Sequence, residues 1–227
     1  MTDIAEIGLY LLYIAIPILV IYIGYLVFTK AFNDMGFSSA EAIIIVFVSF
    51  LFWFDIVIMG FNISNISLFK YNNWMVGINT GGAIIPIILS IYLAIKKKIQ
   101  LKKILFGILV VLIITYAVTR VVPERGIMSP FPYFLLPAIF ASLASVFLSW
   151  KNHRVAAPLA YISGTLGVLI GADFLHLYEL LTYPINEVTP AIIGGANVFD
   201  MVFITGVLAV IVDGILMQRQ KSKEKAS

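Results

Sequence analysis

The chain has 227 residues, of which 61% are hydrophobic and only 12% are charged. A soluble domain of this size needs a polar surface, so the mean hydropathy of +1.03 excludes an ordinary soluble fold and indicates an integral membrane protein. The absence of cysteine excludes disulfides, thiolate metal sites and cysteine nucleophiles. The formal net charge of +3 is attributed to membrane topology and not to nucleic-acid binding, because the sequence has no aromatic and basic patch of the RNA-binding kind.

Apolar runs long enough to cross about 30 Å of hydrocarbon recur along the whole chain. They predict an all-α, polytopic membrane protein with seven transmembrane helices in one domain, residues 1–227. The predicted spans are Ile7–Thr29, Ala40–Gly60, Trp74–Ile95, Ile104–Thr119, Pro130–Trp150, Ala156–Leu180 and Ala191–Met217. Pro190 is expected to begin the seventh helix.

Basic residues are distributed unequally between the predicted loops. Twelve of the 15 Lys and Arg residues fall on the side that carries the C-terminus, and basic loops stay cytoplasmic. The pattern predicts an N-terminus outside and a C-terminus inside the cell (plasma) membrane, with residues 218–227 as a basic cytoplasmic tail. The lipid bilayer is the expected partner, and the sequence predicts no cofactor.

A short motif occurs twice in similar surroundings. Gly81-Gly82-Ala83 follows Asp55 by 26 residues, and Gly194-Gly195-Ala196 follows Asp173 by 21 residues. Residues 1–95 and 130–217 therefore resemble two copies of a three-helix unit, joined by a linker helix over residues 104–119. This 3+1+3 plan makes the two repeats parallel. The alternative is chance recurrence of the motif in a glycine-rich apolar sequence.

Acidic residues at membrane depth cost about 2.5–3.5 kcal/mol on insertion scales, so each needs a reason. Asp173 and Asp200 belong to neighbouring predicted helices at similar depth in the outer half of the bilayer, and we expect them to face each other. Asp55 is placed near the outer end of the second span. Asp213 is placed near the inner surface, where we expect it to be solvated.

The paired glycines favour a kink or a short unwound stretch, whose freed backbone groups need water or a ligand. Tight packing of the glycines without unwinding is the alternative. The predicted ion- or substrate-binding residues are Asn79, Asp55, Asn197, Gly81, Gly82, Gly194 and Gly195. A separate stripe of small residues, Ser163, Gly164, Gly167 and Gly171, predicts close approach of another helix.

Two further patterns have ordinary explanations. Asp173, His176 and Glu179 share one helix face, as in an Asp-x-x-His metal-ligand pair. A hydrogen-bonded or solvated histidine is the preferred interpretation, so the sequence predicts no metal site. Asn62 and Asn65 each begin a glycosylation pattern in a predicted outer loop.

Several segments in the last two-thirds of the chain resemble an archaeal and bacterial membrane protein family called domain of unknown function 1614. They are Asn79 to Pro86, Gly126-Ile127 with Pro130-Phe131, Ala160 to Gly164 through Gly171-Ala172-Asp173, and Gly194-Gly195-Ala196 through Phe199-Asp200 to Thr205-Gly206. The chain departs from the family at Met201, where a glycine is expected, and at His176, where an asparagine is expected. The resemblance implies no activity, but it supports Asp173 and Asp200 as the pair of interest.

Three functions are compatible with these features. The first is a small proton- or cation-coupled secondary transporter, in which Asp173 and Asp200 carry protons and a small cation or polar solute is moved. The second is an intramembrane aspartyl protease, in which the same two acids activate water to cleave a transmembrane peptide; it lacks the Gly-x-Gly-Asp signature. The third is a non-catalytic scaffold or sensor. A retinal protein is excluded, because the seventh span contains no lysine.

Overall fold

A computed structural model of the chain describes residues 4–52, 54–122, 126–150, 152–195 and 201–226. It is mostly helical, which confirms the predicted helical class. The helices are α1 (Ile4–Met35), α2 (Ser39–Leu51), α3 (Ile85–Lys96), α4 (Leu101–Val118), α5 (Leu136–Leu148), α6 (Ala156–Val168), α7 (Leu175–Thr182) and α8 (Met201–Ala226). Two π-helical segments continue them: Thr80–Ile84 leads into α3, and Leu169–Phe174 joins α6 to α7.

Three helices of the described chain are long and apolar enough to cross a membrane. They are Gly8–Met35, Leu101–Val118 and His153–Thr182, the last of which contains both α6 and α7. The shorter apolar helices are Ser39–Leu51, Thr80–Lys96, Tyr133–Leu148 and Ile204–Leu216. These segments follow the order of the predicted spans, but 13 residues of α2 extend only about 20 Å.

Helix α6 is the centre of the helical bundle. All its residues except Leu166 are buried, and it packs against α3, α4, α5 and α8. A Cβ added to Gly167 would lie 2.5 Å from the Cβ of Val111, and one added to Gly171 would lie 2.7 Å from the carbonyl oxygen of Leu112. The predicted close approach along the small-residue stripe is therefore confirmed: α4 approaches at Gly167 and Gly171, and α8 approaches at Gly164.

The all-α prediction needs correction, because the described residues also form short strands in three connections between helices. The strands are β1 (Val57–Ile58), β2 (Phe61–Asn62), β3 (Asn65–Tyr71), β4 (Trp74–Asn79), β5 (Arg120–Val122), β6 (Gly126–Met128) and β7 (Thr189–Ile193). They make a β1-β2 pair, a β3-β4-β7 sheet and a β5-β6 pair. We call these seven strands the β cap.

Three predicted spans consequently had wrong boundaries. Helix α2 ends at Leu51 and not at Gly60, the third run begins as β4 and becomes helical only at Thr80, and the seventh run begins as β7. Short apolar runs rich in β-branched residues fit a strand as well as a helix, which explains the errors. Pro190 lies in β7 and does not begin a helix; a strand that pairs along one side only tolerates proline.

Candidate functional site

The two Gly-Gly motifs lie side by side at one end of the β cap. β4 and β7 are parallel neighbours, with Val76 opposite Ala191. Gly81-Gly82 follows β4 and Gly194-Gly195 follows β7, so both motifs lie at the carboxyl-terminal end of this parallel strand pair. The Gly195 N–H donates to the Ile192 carbonyl (3.0 Å), which closes a turn at the end of β7. The structure thus brings together two motifs from distant parts of the sequence.

Gly194 packs directly on the backbone of the first motif. Its φ is +67°, in the left-handed region that favours glycine. A Cβ on Gly194 would lie 2.8 Å from the carbonyl carbon of Gly82 and 2.9 Å from the backbone nitrogen of Ala83. Gly81 is packed just as closely, against the carbonyl oxygen of Ser49 at the end of α2. Both tight packing and departure from α-helical geometry therefore occur here.

Asn79 holds the first motif in place. Its side chain is fully buried and caps the π-helical segment, because Oδ1 accepts a hydrogen bond from the Gly82 N–H (2.7 Å). Its Nδ2 donates to Asn65 Oδ1 (2.8 Å) and to the Ser64 carbonyl (3.1 Å). Since the amide is engaged on both sides by the protein, Asn79 positions the glycines and is not placed as a ligand.

Asp55 lies in the exposed connection after α2, and not inside a membrane span as predicted. The amide groups of Asn62 and Asn65 both donate to Asp55 Oδ1, each at 2.9 Å. Because Asn65 also accepts from Asn79, a chain of hydrogen bonds runs from Gly82 through Asn79 and Asn65 to Asp55. The two predicted glycosylation acceptors therefore serve as donors in this network. Asp55 is linked to the glycine motif but is remote from the bundle interior.

The hydrogen bonds from Asn62 and Asn65 lower the pKa of Asp55 below its ordinary value. The charged form is thus the one that supports the loop, and its contribution is complete above about pH 3.9 and lost as the pH falls through the lower pKa of the folded state. We expect the side-chain amide NMR signals of Asn62 and Asn65 to titrate with a midpoint below that value. The amide of Asn73, which donates to a backbone carbonyl, is the control; an ordinary midpoint at Asp55 would contradict the prediction.

Asp173 connects the bundle to the second motif. It lies half-buried in the π-helical segment Leu169–Phe174, and its Oδ2 accepts a hydrogen bond from the Gly194 N–H (2.9 Å). π-Helical interruptions are frequent at functional sites. We call the contiguous group that results the glycine junction, and its members are Asn79, Gly81, Gly82, Asp173, Gly194 and Gly195.

Two residues of the predicted site, Asn197 and Asp200, lie outside the described residues. The structure therefore gives no distance between Asp173 and Asp200, and their pairing stays a prediction. Six predicted site residues are gathered in the glycine junction, and Asp55 is attached to it through Asn65.

His176 follows the glycine junction along the same helix, but it has separate partners. Its ring is 5% exposed and stacks on Tyr116 with centroids 4.7 Å apart. His176 Nδ1 lies 3.3 Å from Glu179 Oε2, whereas Asp173 bonds to the Gly194 backbone. Within the residues that the structure describes, no group of three or more His, Asp or Glu side chains is arranged to hold a metal ion.

One acidic residue was misjudged from the sequence. Asp213 is only 2% exposed and accepts a hydrogen bond from Ser145 Oγ (2.6 Å), so the expectation of a solvated side chain was wrong. Its position inside the apolar run that ends at Met217 is a signal for burial. Ser142 and Ser145 also share one face of α5, a second signal for a polar contact.

Comparison with known proteins gives a family but no activity. The sequence profile of the family described as protein of unknown function DUF1614 matches residues 54–212, well over half of the chain. Neither the curated proteins nor the solved structures contain a significant match. The matched region includes all the described members of the glycine junction and Asp55. The chain belongs to the DUF1614 family of proteins of unknown function.

Proposed function

We propose that this chain is an integral protein of the cell membrane with seven membrane-crossing helices, its N-terminus outside and its C-terminus in the cytoplasm. Three helices have the necessary length, and large apolar side chains from Leu9 to Val27 of α1 are exposed over the surface of the helix. Such a surface is stable in lipid and costly in water. The strands of the β cap lie in every second connection between the helices. Every second connection lies on the same side of the membrane, and with the N-terminus outside this is the outer side.

The 3+1+3 repeat is part of the proposal. In each half a strand is followed by Gly-Gly-Ala and then by a helix, and the two strands are parallel neighbours. Parallel strands require the two strand-to-helix units to run in the same direction, as two parallel repeats would. The helices that precede these units differ in length: α1 has 32 residues and α5 has 13.

We propose further that the protein is a secondary transporter that couples protons or small cations to the movement of a small cation or polar solute. The observation that carries this proposal is the hydrogen bond between Asp173 and the Gly194 backbone at the glycine junction. A carboxylate, a π-helical segment and two glycine turns meet there, and interrupted helices beside an acid provide ion-binding groups in transporters.

Each member of the glycine junction has a distinct role in this proposal. Asp173 binds the proton or cation, and its release from the Gly194 N–H is coupled to binding. The backbones of Gly194 and Gly82 lie against each other, and the two glycines act as hinges during transport. Asn79 keeps the first motif fixed. The alternative function, an intramembrane aspartyl protease, would additionally require Asp200 as a second acid beside Asp173.

Flux measurements in liposomes test the proposal. With a pH-sensitive dye inside and an imposed Na⁺ or K⁺ gradient, the wild type should move protons, and Asp173→Asn should reduce the rate at least tenfold, or about 1.4 kcal/mol in the barrier. Glu187→Gln, which removes an exposed acid outside the glycine junction, is the matched control and should retain the flux. Equal flux in the wild type and Asp173→Asn would overturn the role of Asp173.

The same preparations separate the other functions. Cleavage of a transmembrane peptide by the wild type, lost in Asp173→Asn, would replace transport by proteolysis. Loss of thermal stability in Asp173→Asn, with no flux and no cleavage in the wild type, would replace it by a scaffold role.

A further inference from the structure

Asp213 is a buried acid that the proposed transport site does not use. It lies on α8, 12 residues or about 18 Å beyond the first residue of that helix, so it is far from the Gly194 turn. Its exposure is 2%, and Ser145 Oγ on α5 lies 2.6 Å from Asp213 Oδ1. One turn earlier, Ser142 Oγ donates to the Ala209 carbonyl. Two serine hydroxyl groups of α5 therefore bond to α8 around Asp213, so this part of the contact between the two helices is polar.

The charged groups that face Asp213 come from α1. Asp34 Oδ2 lies 3.4 Å from the place that a Cβ on Gly214 would take, so it lies beside the turn of α8 that carries Asp213. Lys30 precedes Asp34 by four residues, on the same face of α1. Helices α5 and α6, which also pack on α8, contain no charged residue. Among the described residues, Asp213 therefore has a second acid near it and no basic side chain within ion-pair distance.

A second observation indicates a proton path at this place. Ser149 is fully buried, and its hydroxyl has no hydrogen-bond partner among the described residues. It follows Ser145 by four residues and caps the C-terminal end of α5 on the same face, about 6 Å further along the helix axis. Asp34, in contrast, is exposed. A buried acid, a free buried hydroxyl group and an exposed acid thus lie together at this end of the bundle.

We propose that Asp213 is a proton-binding site and that Asp34 is the acceptor through which its proton exchanges with water. In the exchange, the O–H bond of the Asp213 carboxyl group breaks, the proton moves to the Asp34 carboxylate directly or through one water, and Asp34 releases it to solvent. Ser145 holds the carboxyl group in position, and Ser149 offers a further hydroxyl group on the same face. The ligand is a proton, and the site is independent of the glycine junction.

Infrared spectroscopy of the full chain in lipid tests this proposal without any ion gradient. At about pH 5, where exposed carboxyl groups are mostly ionised, the wild type should show the carbonyl band of a protonated carboxyl group, and Asp213→Asn should abolish it. Asp173→Asn, the variant that tests transport, should keep the band, so failure of the transport proposal and failure of this one are distinguishable. Absence of the band from the wild type, or its persistence in Asp213→Asn, would overturn the proposal.

Two variants test the path and guard against a misfolded Asp213→Asn protein. Ser145→Ala should shift the band, because the carboxyl group loses its hydrogen bond at 2.6 Å. Asp34→Asn should slow exchange of the Asp213 proton for deuterium at least tenfold, because the exposed acceptor is lost. An unshifted band in Ser145→Ala would contradict the assignment to Asp213, and unchanged exchange in Asp34→Asn would refute the role of Asp34.

Discussion

Gly194→Ala should lower the free energy of unfolding by about 2–4 kcal/mol, because it combines backbone strain with a steric clash. The residue has a φ of +67°, and the new Cβ would lie 2.8 Å from both the Gly82 carbonyl carbon and the Ala83 Cβ. These atoms belong to a buried backbone segment, so they have little room to move. Unfolding in mixed micelles, followed by circular dichroism, measures the loss.

Gly60→Ala is the matched control for conformation without a clash. Gly60 has a φ of +83° and no atom within 4 Å of the added Cβ. The substitution Gly60→Ala should therefore lower the free energy of unfolding only through backbone strain, by about 1 kcal/mol. Equal losses at Gly60 and Gly194 would show that contact between the two Gly-Gly motifs contributes nothing to stability.

Asn79→Ala should destabilise the fold by about 3–5 kcal/mol, since it removes several hydrogen bonds at a fully buried position. The Gly82 N–H loses its acceptor, Asn65 Oδ1 loses the donor Nδ2, and the Ser64 carbonyl keeps only the Thr80 N–H. The same unfolding measurement checks this value. Asn79→Asp retains an acceptor for the Gly82 N–H but has no donor while it is ionised. It should recover part of the lost stability only at low pH, where the protonated carboxyl group supplies one O–H donor in place of the two hydrogen bonds from Nδ2.

Asn73→Ala is the control at the other end of β4. Asn73 Nδ2 donates one hydrogen bond, to the Ile185 carbonyl, and the residue is half-buried. Its substitution should cost about 1 kcal/mol. A cost at Asn79 no larger than that at Asn73 would refute the role of Asn79 as the anchor of the first motif.

The sequence was sufficient to locate the apolar helices and to select most of the residues that meet in the glycine junction. The small-residue stripe on α6 was recognisable because glycines at helical spacing mark close helix contacts. The motif around Gly81 and Gly194 was recognisable because paired glycines do not favour a regular helix. Both signals are local in the chain.

The errors concern features that depend on tertiary contacts. The residues of β4 and β7 are apolar, and only their pairing distinguishes them from the start of a helix. Asp55 follows a continuous apolar run that includes Phe54, so the sequence did not indicate that α2 ends at Leu51 and that Asp55 lies in a loop. The apolar run around Asp213 is a signal for its burial, but its partner Ser145 on α5 is 68 residues away in the sequence, so only the packing of α5 against α8 brings the two together.

The pairing of β4 with β7 has a consequence for how the chain assembles. Trp74 lies opposite Thr189, so the paired residues are 115 positions apart in the sequence, with the five helices α3 to α7 between the two strands. Closing so long a loop costs conformational entropy, and this cost precedes the stabilising contacts between the two strands. The edge strand β7 can therefore pair only after the helices between it and β4 have come together. We expect the local β3-β4 hairpin to form first and β7 to join it last, linking the two halves of the chain.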